Sequence, residues 1–194
     1  MFTGIVTEIG TVQSKKPSES GQTFTVKCEN VLKNKKIGES IAVNGACMTI
    51  TELGEDYFCF DCIPESLKLT NLTSVTEVNL EAAMTLNQGI DGHLVQGHID
   101  CTGTVSDFAE NRLTIKFPQE ISLYLSLKGS ITVNGVSLTI SGLTTDTFSV
   151  SLIPETLKNT NLGQAQKEDK LNLEVDLIAR YLKRMLDNKE TNSN

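Results

Sequence analysis

The side chains able to do chemistry fall at matched places in this chain. Cys47 lies in NGACMTI and Ser137 in NGVSLTI, an offset of 90. Both are small, nucleophile-type groups beside an expected turn. Each could add to an electron-poor ring carbon or hydrogen-bond to it, although a thiol needs a depressed pKa to attack. Each reads equally as a small core residue. The chain has 2 histidines, His93 and His98, both in GHLVQGHID. His98 stands where the start of the chain has Ile5, and an imidazole replacing an aliphatic group suggests general acid–base work. A satisfied structural histidine is the plain alternative. His93, His98 and Cys101 offer three metal ligands with no fourth at clear spacing. Cys59 and Cys62 form a CxxC, but DYFCFDC reads as a strand, on which positions three apart face opposite ways. Buried fillers suit that pair better than a chelate or a disulfide.

These groups sit in a duplicated frame. MFTGIVTEIGTV (1–12) aligns with LVQGHIDCTGTV (94–105), and IGESIAVNGACMTI (37–50) with LKGSITVNGVSLTI (127–140). CIPESLKLTNL (62–72) aligns with LIPETLKNTNL (152–162), and VNLEAAM (78–84) with LNLEVDL (171–177). The offset shifts between 93 and 90 within KKPSESGQ and GQAQKEDK, which read as loops. Two copies are too few for a solenoid, so tandem domains are expected over 1–93 and 94–176.

Each copy reads as short strands rich in Val, Ile, Thr and Phe, separated by Gly, Asn and Asp. The VNG steps predict tight turns. IPESL and IPETL predict one or two helical turns opened by proline. The fold class expected is all-β: two similar six-stranded Greek-key barrels, whose closure removes exposed edges. Asp61 and Ser66 flank the first IPE turn, and Ser151 and Thr156 the second. They could hold a polyol or cap the helix, and capping is the reading preferred from the residues alone. Residues 177–190 carry an apolar stripe at helical spacing, Leu177, Ile178, Tyr181, Leu182, Met185 and Leu186, and predict an oligomerisation helix.

Composition narrows the partners. Lys and Arg number 17 against 24 Asp and Glu, a net charge of −7, which disfavours nucleic acid. No apolar run reaches the roughly 20 residues of a membrane span. MFTGIVTEIG lacks the features of a signal peptide. An odd count of 5 cysteines suits a reducing cytoplasm. A neutral or weakly charged small molecule is the expected ligand.

Taken together, MFTGIV, NGACMTIT, GHLVQGHID, VNGVSLTI and the doubled IPE(S/T)L resemble the riboflavin synthase family, built from two lumazine-binding repeats. The likeness runs from Met1 to about residue 186. It implies a transferase that turns two molecules of 6,7-dimethyl-8-ribityllumazine into riboflavin and 5-amino-6-(D-ribitylamino)uracil, moving a four-carbon unit without cofactor or metal. It implies a homotrimer held by C-terminal helices, with one repeat facing the other repeat of a neighbour. It leaves association with lumazine synthase open. A lumazine or flavin carrier on the same fold is the alternative.

The likeness also assigns residues. For the first repeat it implies a pocket wall of Gly4, Ile5 and Val6, a ring edge of Cys47, Met48 and Thr49, and a ribityl turn of Asp61, Cys62, Ile63, Pro64, Glu65 and Ser66. For the second it implies a wall of Gly97, His98 and Ile99 and a ring edge of Ser137, Leu138 and Thr139. The second ribityl turn is Ser151, Leu152, Ile153, Pro154, Glu155 and Thr156, with Lys128 a further contact. Turnover is ascribed to Phe2, Ser40, Cys47, His98, Ser137 and Asp176. At one position the chain departs from the pattern: Asn134 stands where the family commonly has Asp.

Overall fold

The computed structural model describes residues 1–191, with side chains described through Asn188. Strands β1 (Glu8–Ser18), β2 (Gly21–Lys27), β3 (Ser40–Val43), β4 (Ala46–Leu53), β5 (Tyr57–Cys62) and β6 (Glu77–Ala82) close into a barrel in the order β1-β2-β5-β4-β3-β6. Strands β7 (Cys101–Ala109), β8 (Arg112–Lys116), β9 (Ser130–Val133), β10 (Val136–Leu143), β11 (Thr147–Ser151) and β12 (Lys170–Val175) close a second barrel in the same cyclic order. Neighbouring strands run antiparallel throughout, and the all-β expectation holds. Helices α1 (Pro64–Leu69) and α2 (Pro154–Asn159) open on the two prolines as predicted.

Alternation along the strands fills each barrel with one apolar cluster. Phe24 and Phe60 stack at 5.1 Å in the first, and Phe117 packs on Phe148 in the second. Register shifts at Val12/Ser14 and Ile50/Glu52 recur at Val105/Asp107 and Ile140/Gly142, bulges that bend the sheets toward closure. One expected loop is a strand instead. KKPS lies inside β1, and only Glu19 and Ser20 separate it from β2. The strand pairing extends the hairpin through residues whose polarity had suggested a loop.

The VNG steps are two-residue turns with left-handed backbone at both centres, φ 45° and 81° at Asn44 and Gly45 and again at Asn134 and Gly135. The two turns meet back to back. A Cβ on Gly45 would lie 2.7 Å from the Gly135 nitrogen, and a Cβ on Gly135 the same distance from that of Gly45. Around this contact six asparagines clasp the barrels. Asn172 Nδ2 donates to the Asn44 carbonyl (2.9 Å) and Asn79 Nδ2 to the Asn134 carbonyl (2.8 Å). Asn161 Nδ2 donates to Asn44 Oδ1 (2.9 Å), and Asn71 Nδ2 to Asn134 Oδ1 (3.2 Å). Each amide both gives and takes, which a carboxylate cannot do. This accounts for Asn134: its Nδ2 donates to Asn161 Oδ1 at 3.2 Å, a bond within the clasp. Asn172→Leu leaves the Asn44 carbonyl and the Asn71 N–H unpaired. It should cost about 2–6 kcal/mol, read as a lower urea midpoint. An unchanged midpoint would count against the clasp.

Helix α3 (Leu177–Thr191) leaves the second barrel tied by Arg180, whose guanidinium donates to both Asp100 oxygens at 2.7 and 2.9 Å. Asp176 Oδ1 accepts the Ile178 N–H at 2.7 Å. Within this chain, Ile178, Tyr181, Leu182, Met185 and Leu186 are exposed, while Leu177 is half-buried. No described helix is long and apolar enough to cross a membrane.

Candidate active site

The segments before β1 and before β7 stay tied to their own barrels, Thr7 N–H donating to the Leu80 carbonyl and Asp100 N–H to that of Leu173, but each also reaches across to the other barrel. Phe2 is fully buried and pairs with Val95, its N–H donating to the Val95 carbonyl at 2.8 Å. Beside this crossing each segment accepts a backbone bond from a strand of the other barrel. Ser137 N–H donates to the Gly4 carbonyl, and Cys47 N–H to the Gly97 carbonyl, both at 2.8 Å. Gly4 and Gly97 have φ 78° and 81°, and a Cβ on either would lie 2.6 Å from the Cβ of Ser137 or Cys47 respectively. Only glycine permits this approach. The sequence expectation is therefore corrected: Gly97, His98 and Ile99 stand with Cys47, and Gly4 stands with Ser137.

Two buried carboxylates hold these segments. Glu81 on β6 accepts from Thr3 N–H (2.7 Å), Thr3 Oγ1 (2.8 Å) and Gly4 N–H (3.0 Å). Glu174 on β12 accepts from Gln96 (2.7 Å), Gly97 (2.9 Å) and His98 (3.0 Å) N–H groups. Burial pushes the Glu174 carboxyl up to about 7, against the three N–H donors that favour its charged form. Burial raises Glu81 likewise.

Cys47 and Met48 of β4, Glu65, Ser66 and Leu69 of α1, and Gly97, His98 and Ile99 line one cleft of about 210 Å³. Sites that enclose a small molecule run to about 300–1,000 Å³, so this is an open half-site. It joins a thiol, a hydroxyl, a carboxylate and an exposed imidazole beside an apolar wall. The corresponding place on the second barrel joins Ser137 to His93 rather than His98. His93 Nδ1 lies 2.7 Å from Ser137 Oγ, and its Nε2 lies 3.2 Å from Thr132 Oγ1. Burial holds the His93 imidazole below its ordinary range, opposed by Asp176, so the ring is neutral at neutral pH. A neutral ring donates through one nitrogen and accepts through the other. Val6 lines a cleft of about 390 Å³ with Lys158 and Asn159 at the end of α2. A larger groove of about 430 Å³ runs between the barrels past Asn71, Asn134 and Lys170. It holds none of the predicted site residues, and its asparagines are engaged in the clasp.

The other predicted residues take mixed places. The helix-cap reading is corrected: Ile63 and Ile153 occupy the N-cap positions with no side-chain cap. Asp61 instead accepts from Thr23 across the strand pair, and Ser66 faces the first cleft. Cys62 and Leu152 are buried beneath the turns, whereas Ile63, Pro64, Ile153, Pro154 and Glu155 are exposed. Ser151, Thr49 and Thr139 are exposed, and Leu138 and Thr156 half-buried. Ile5 is exposed beside Gly4. Lys128 sits at a left-handed position before β9, its N–H donating to Ile140. Ser40 pairs with Thr49 between β3 and β4.

The three candidate metal ligands go to different surroundings, and among the described residues no group of three His, Cys, Asp or Glu gathers to hold a metal. Burial pushes the thiols of Cys28 and Cys101 up to about 12 and that of Cys62 to about 11, so these stay protonated. Cys47 differs in lining a cleft. Two groups of the site lie outside the residues that the sequence assigns to it: His93, named there only among possible metal ligands, and the Glu81 and Glu174 pair. A signal for the latter was present, an acid kept inside the apolar strand of both repeats.

Residues 3–83 and 96–176 each match the lumazine binding domain. A riboflavin synthase of Bacillus subtilis strain 168 is 42% identical over 193 residues, covering 96% of this chain and 90% of the relative. A crystal structure of LumP complexed with riboflavin superposes with a TM-score of 0.82 at 24% identity, over 90% of this chain and 99% of that one. LumP complexed with 6,7-dimethyl-8-(1'-D-ribityl)lumazine gives 0.79 at 25%, with the same coverage. Duplicated six-stranded barrels, each matching that domain, define a tandem lumazine-binding fold. The chain belongs to the riboflavin synthase family, a family of transferases.

Proposed function

We propose that the protein converts two molecules of 6,7-dimethyl-8-ribityllumazine into riboflavin and 5-amino-6-(D-ribitylamino)uracil by passing a four-carbon unit from one to the other. The observation that carries this reading is the pair of unlike half-sites, Cys47 with His98 on one barrel and Ser137 with His93 on the other. Two copies of one substrate need two similar pockets, and donor and acceptor roles need the pockets to differ. The atoms of two lumazines equal those of the two products, so no oxidant or reductant enters. The Bacillus relative's name and the lumazine held by LumP support the substrate class.

The reaction starts at the C7 methyl of one lumazine, a carbon acid activated by its electron-poor ring. The exposed imidazole of His98, which lines the Cys47 cleft, carries that proton in this reading. Cys47 or Ser137 adds to, or hydrogen-bonds at, C7 of a ring, and the neutral His93 ring can accept the Ser137 proton. The turns Asp61–Ser66 and Ser151–Thr156 hold the ribityl chains, with Lys128 a further contact. Phe2 acts by pinning the crossing, and Ser40 and Asp176 support β3 and the His93 surroundings. Alignment of two rings supplies a large share of the acceleration, through entropy spent on binding rather than at the barrier.

The Cys47 half-site is open, and the α3 stripe is uncovered within the chain. These two facts support a homotrimer in which the Cys47 half-site of one chain closes on the Ser137 half-site of the next. The alternative, a carrier of lumazine or flavin, has the LumP likeness in its favour. Purified protein mixed with the lumazine alone decides between them. We expect riboflavin absorbance to appear, with two lumazines consumed for each riboflavin. Tight binding with no riboflavin would give the carrier reading instead.

A further inference from the structure

We propose that Glu174 is a positioning residue for the Cys47 half-site, holding its wall in place from the opposite barrel, and that Glu81 does the same for the Ser137 half-site. The proposal rests on the reading of the Cys47 and Ser137 places as lumazine half-sites. Neither acid lines the Cys47 cleft. Glu174 belongs to β12 of the second barrel, yet all three of its bonds go to the backbone of Gln96, Gly97 and His98. Gly97 and His98 line the cleft of the first barrel. The Gly97 carbonyl is then the acceptor for Cys47 N–H, so one chain of bonds runs from Glu174 through Gly97 to the thiol-bearing residue. Glu81 makes the mirrored set, from β6 through Thr3 and Gly4 to Ser137.

The chemistry explains why a carboxylate is used. Three N–H donors converge on two oxygens, and an ionised carboxylate accepts at both without offering a proton. Glutamine fills the same volume but turns an N–H₂ toward at least one of those donors. A segment with no regular strand pairing along its length thereby gains a fixed backbone. The backbone that carries the His98 imidazole is thereby fixed relative to Cys47. Small losses of placement at a reacting centre carry large rate effects.

The test uses the full-length chain. Glu174→Gln and Glu81→Gln are compared with the unaltered protein in riboflavin titration followed by fluorescence, in kcat and KM for the lumazine, and in thermal midpoint. In Glu174→Gln we expect one of the two riboflavin sites per chain to weaken at least tenfold while the other is unchanged, with kcat falling at least tenfold. In a Gly97→Ala background, where the Cys47 half-site is already blocked, Glu174→Gln should leave the surviving site untouched and Glu81→Gln should weaken it. Should Glu174→Gln fail to fold, Glu174→Asp carries the same test, since it keeps the charge and draws the carboxylate back by one methylene.

Equal weakening of both sites by either variant, in step with the thermal midpoint, would make the acids general fold supports and overturn the proposal. So would wild-type binding and kcat in both. Riboflavin titration reads the proposal without turnover. Absent riboflavin formation by the unaltered protein would count against the reaction proposed above and leave this test standing.

Discussion

Gly97→Ala should abolish ligand binding at the Cys47 half-site and cut turnover at least 10²-fold, with both barrels folded. The added Cβ would lie 2.6 Å from the Cys47 Cβ, 2.8 Å from its nitrogen and 3.0 Å from its Cα. Two of these are backbone atoms in a paired strand, so the segment around position 97 must move instead. It carries His98 and Ile99 with it, and the left-handed φ of 81° adds about 1–2 kcal/mol of local strain. Gly4→Ala should do the same at the Ser137 half-site, because its Cβ meets the matching atoms of Ser137. Riboflavin titration of each variant checks this: one site per chain should remain, a different one in each case. Two intact sites in either variant would contradict the crossed arrangement of the wall segments.

Truncation after Asp176 should release single chains and reduce turnover by a similar factor. It removes the exposed stripe of Ile178, Tyr181, Leu182, Met185 and Leu186. Burying each large apolar side chain between chains contributes roughly 1.5–3 kcal/mol, enough together to hold an assembly. The cut also removes Arg180 and its paired bonds to Asp100, so circular dichroism is needed to establish that the second barrel survives. Light scattering gives the mass. An unchanged mass would remove α3 from the account of assembly, and full turnover by single chains would return the half-sites to one chain.

The barrels were legible in the sequence because their signals are local. Short β-branched runs, VNG turns and the IPE prolines each specify their own neighbourhood, and the repeat then doubles every signal. The crossing was not legible, since an alignment pairs Gly4 with Gly97 without saying which barrel either one packs on. That choice is made by Phe2 and Val95 pairing at the crossing, by Glu81 and Glu174, and by contacts to residues 133 and 50 positions away in sequence, Gly4 with Ser137 and Gly97 with Cys47. The asparagines were visible singly as turn residues. Their joint role depends on six amides meeting where two barrels touch. Cap chemistry at Asp61 was a fair local inference, but Thr23 on the adjacent strand takes that carboxylate. The polar KKPS run became strand because β2 pairs with it through Gly21–Phe24.

The central claim is that one turnover uses a Cys47 half-site and a Ser137 half-site on different chains. Co-expression of Gly97→Ala and Gly4→Ala chains under different affinity tags tests this most directly. Each variant alone lacks one kind of half-site and should be inactive. In a closed ring of randomly mixed chains, an intact Cys47 half-site meets an intact Ser137 half-site at about one contact in four. Doubly tagged assemblies purified from the mixture are therefore predicted to regain riboflavin formation, with the whole mixture near a quarter of the unaltered rate. Mixed assemblies that form but stay as inactive as either parent would contradict the claim.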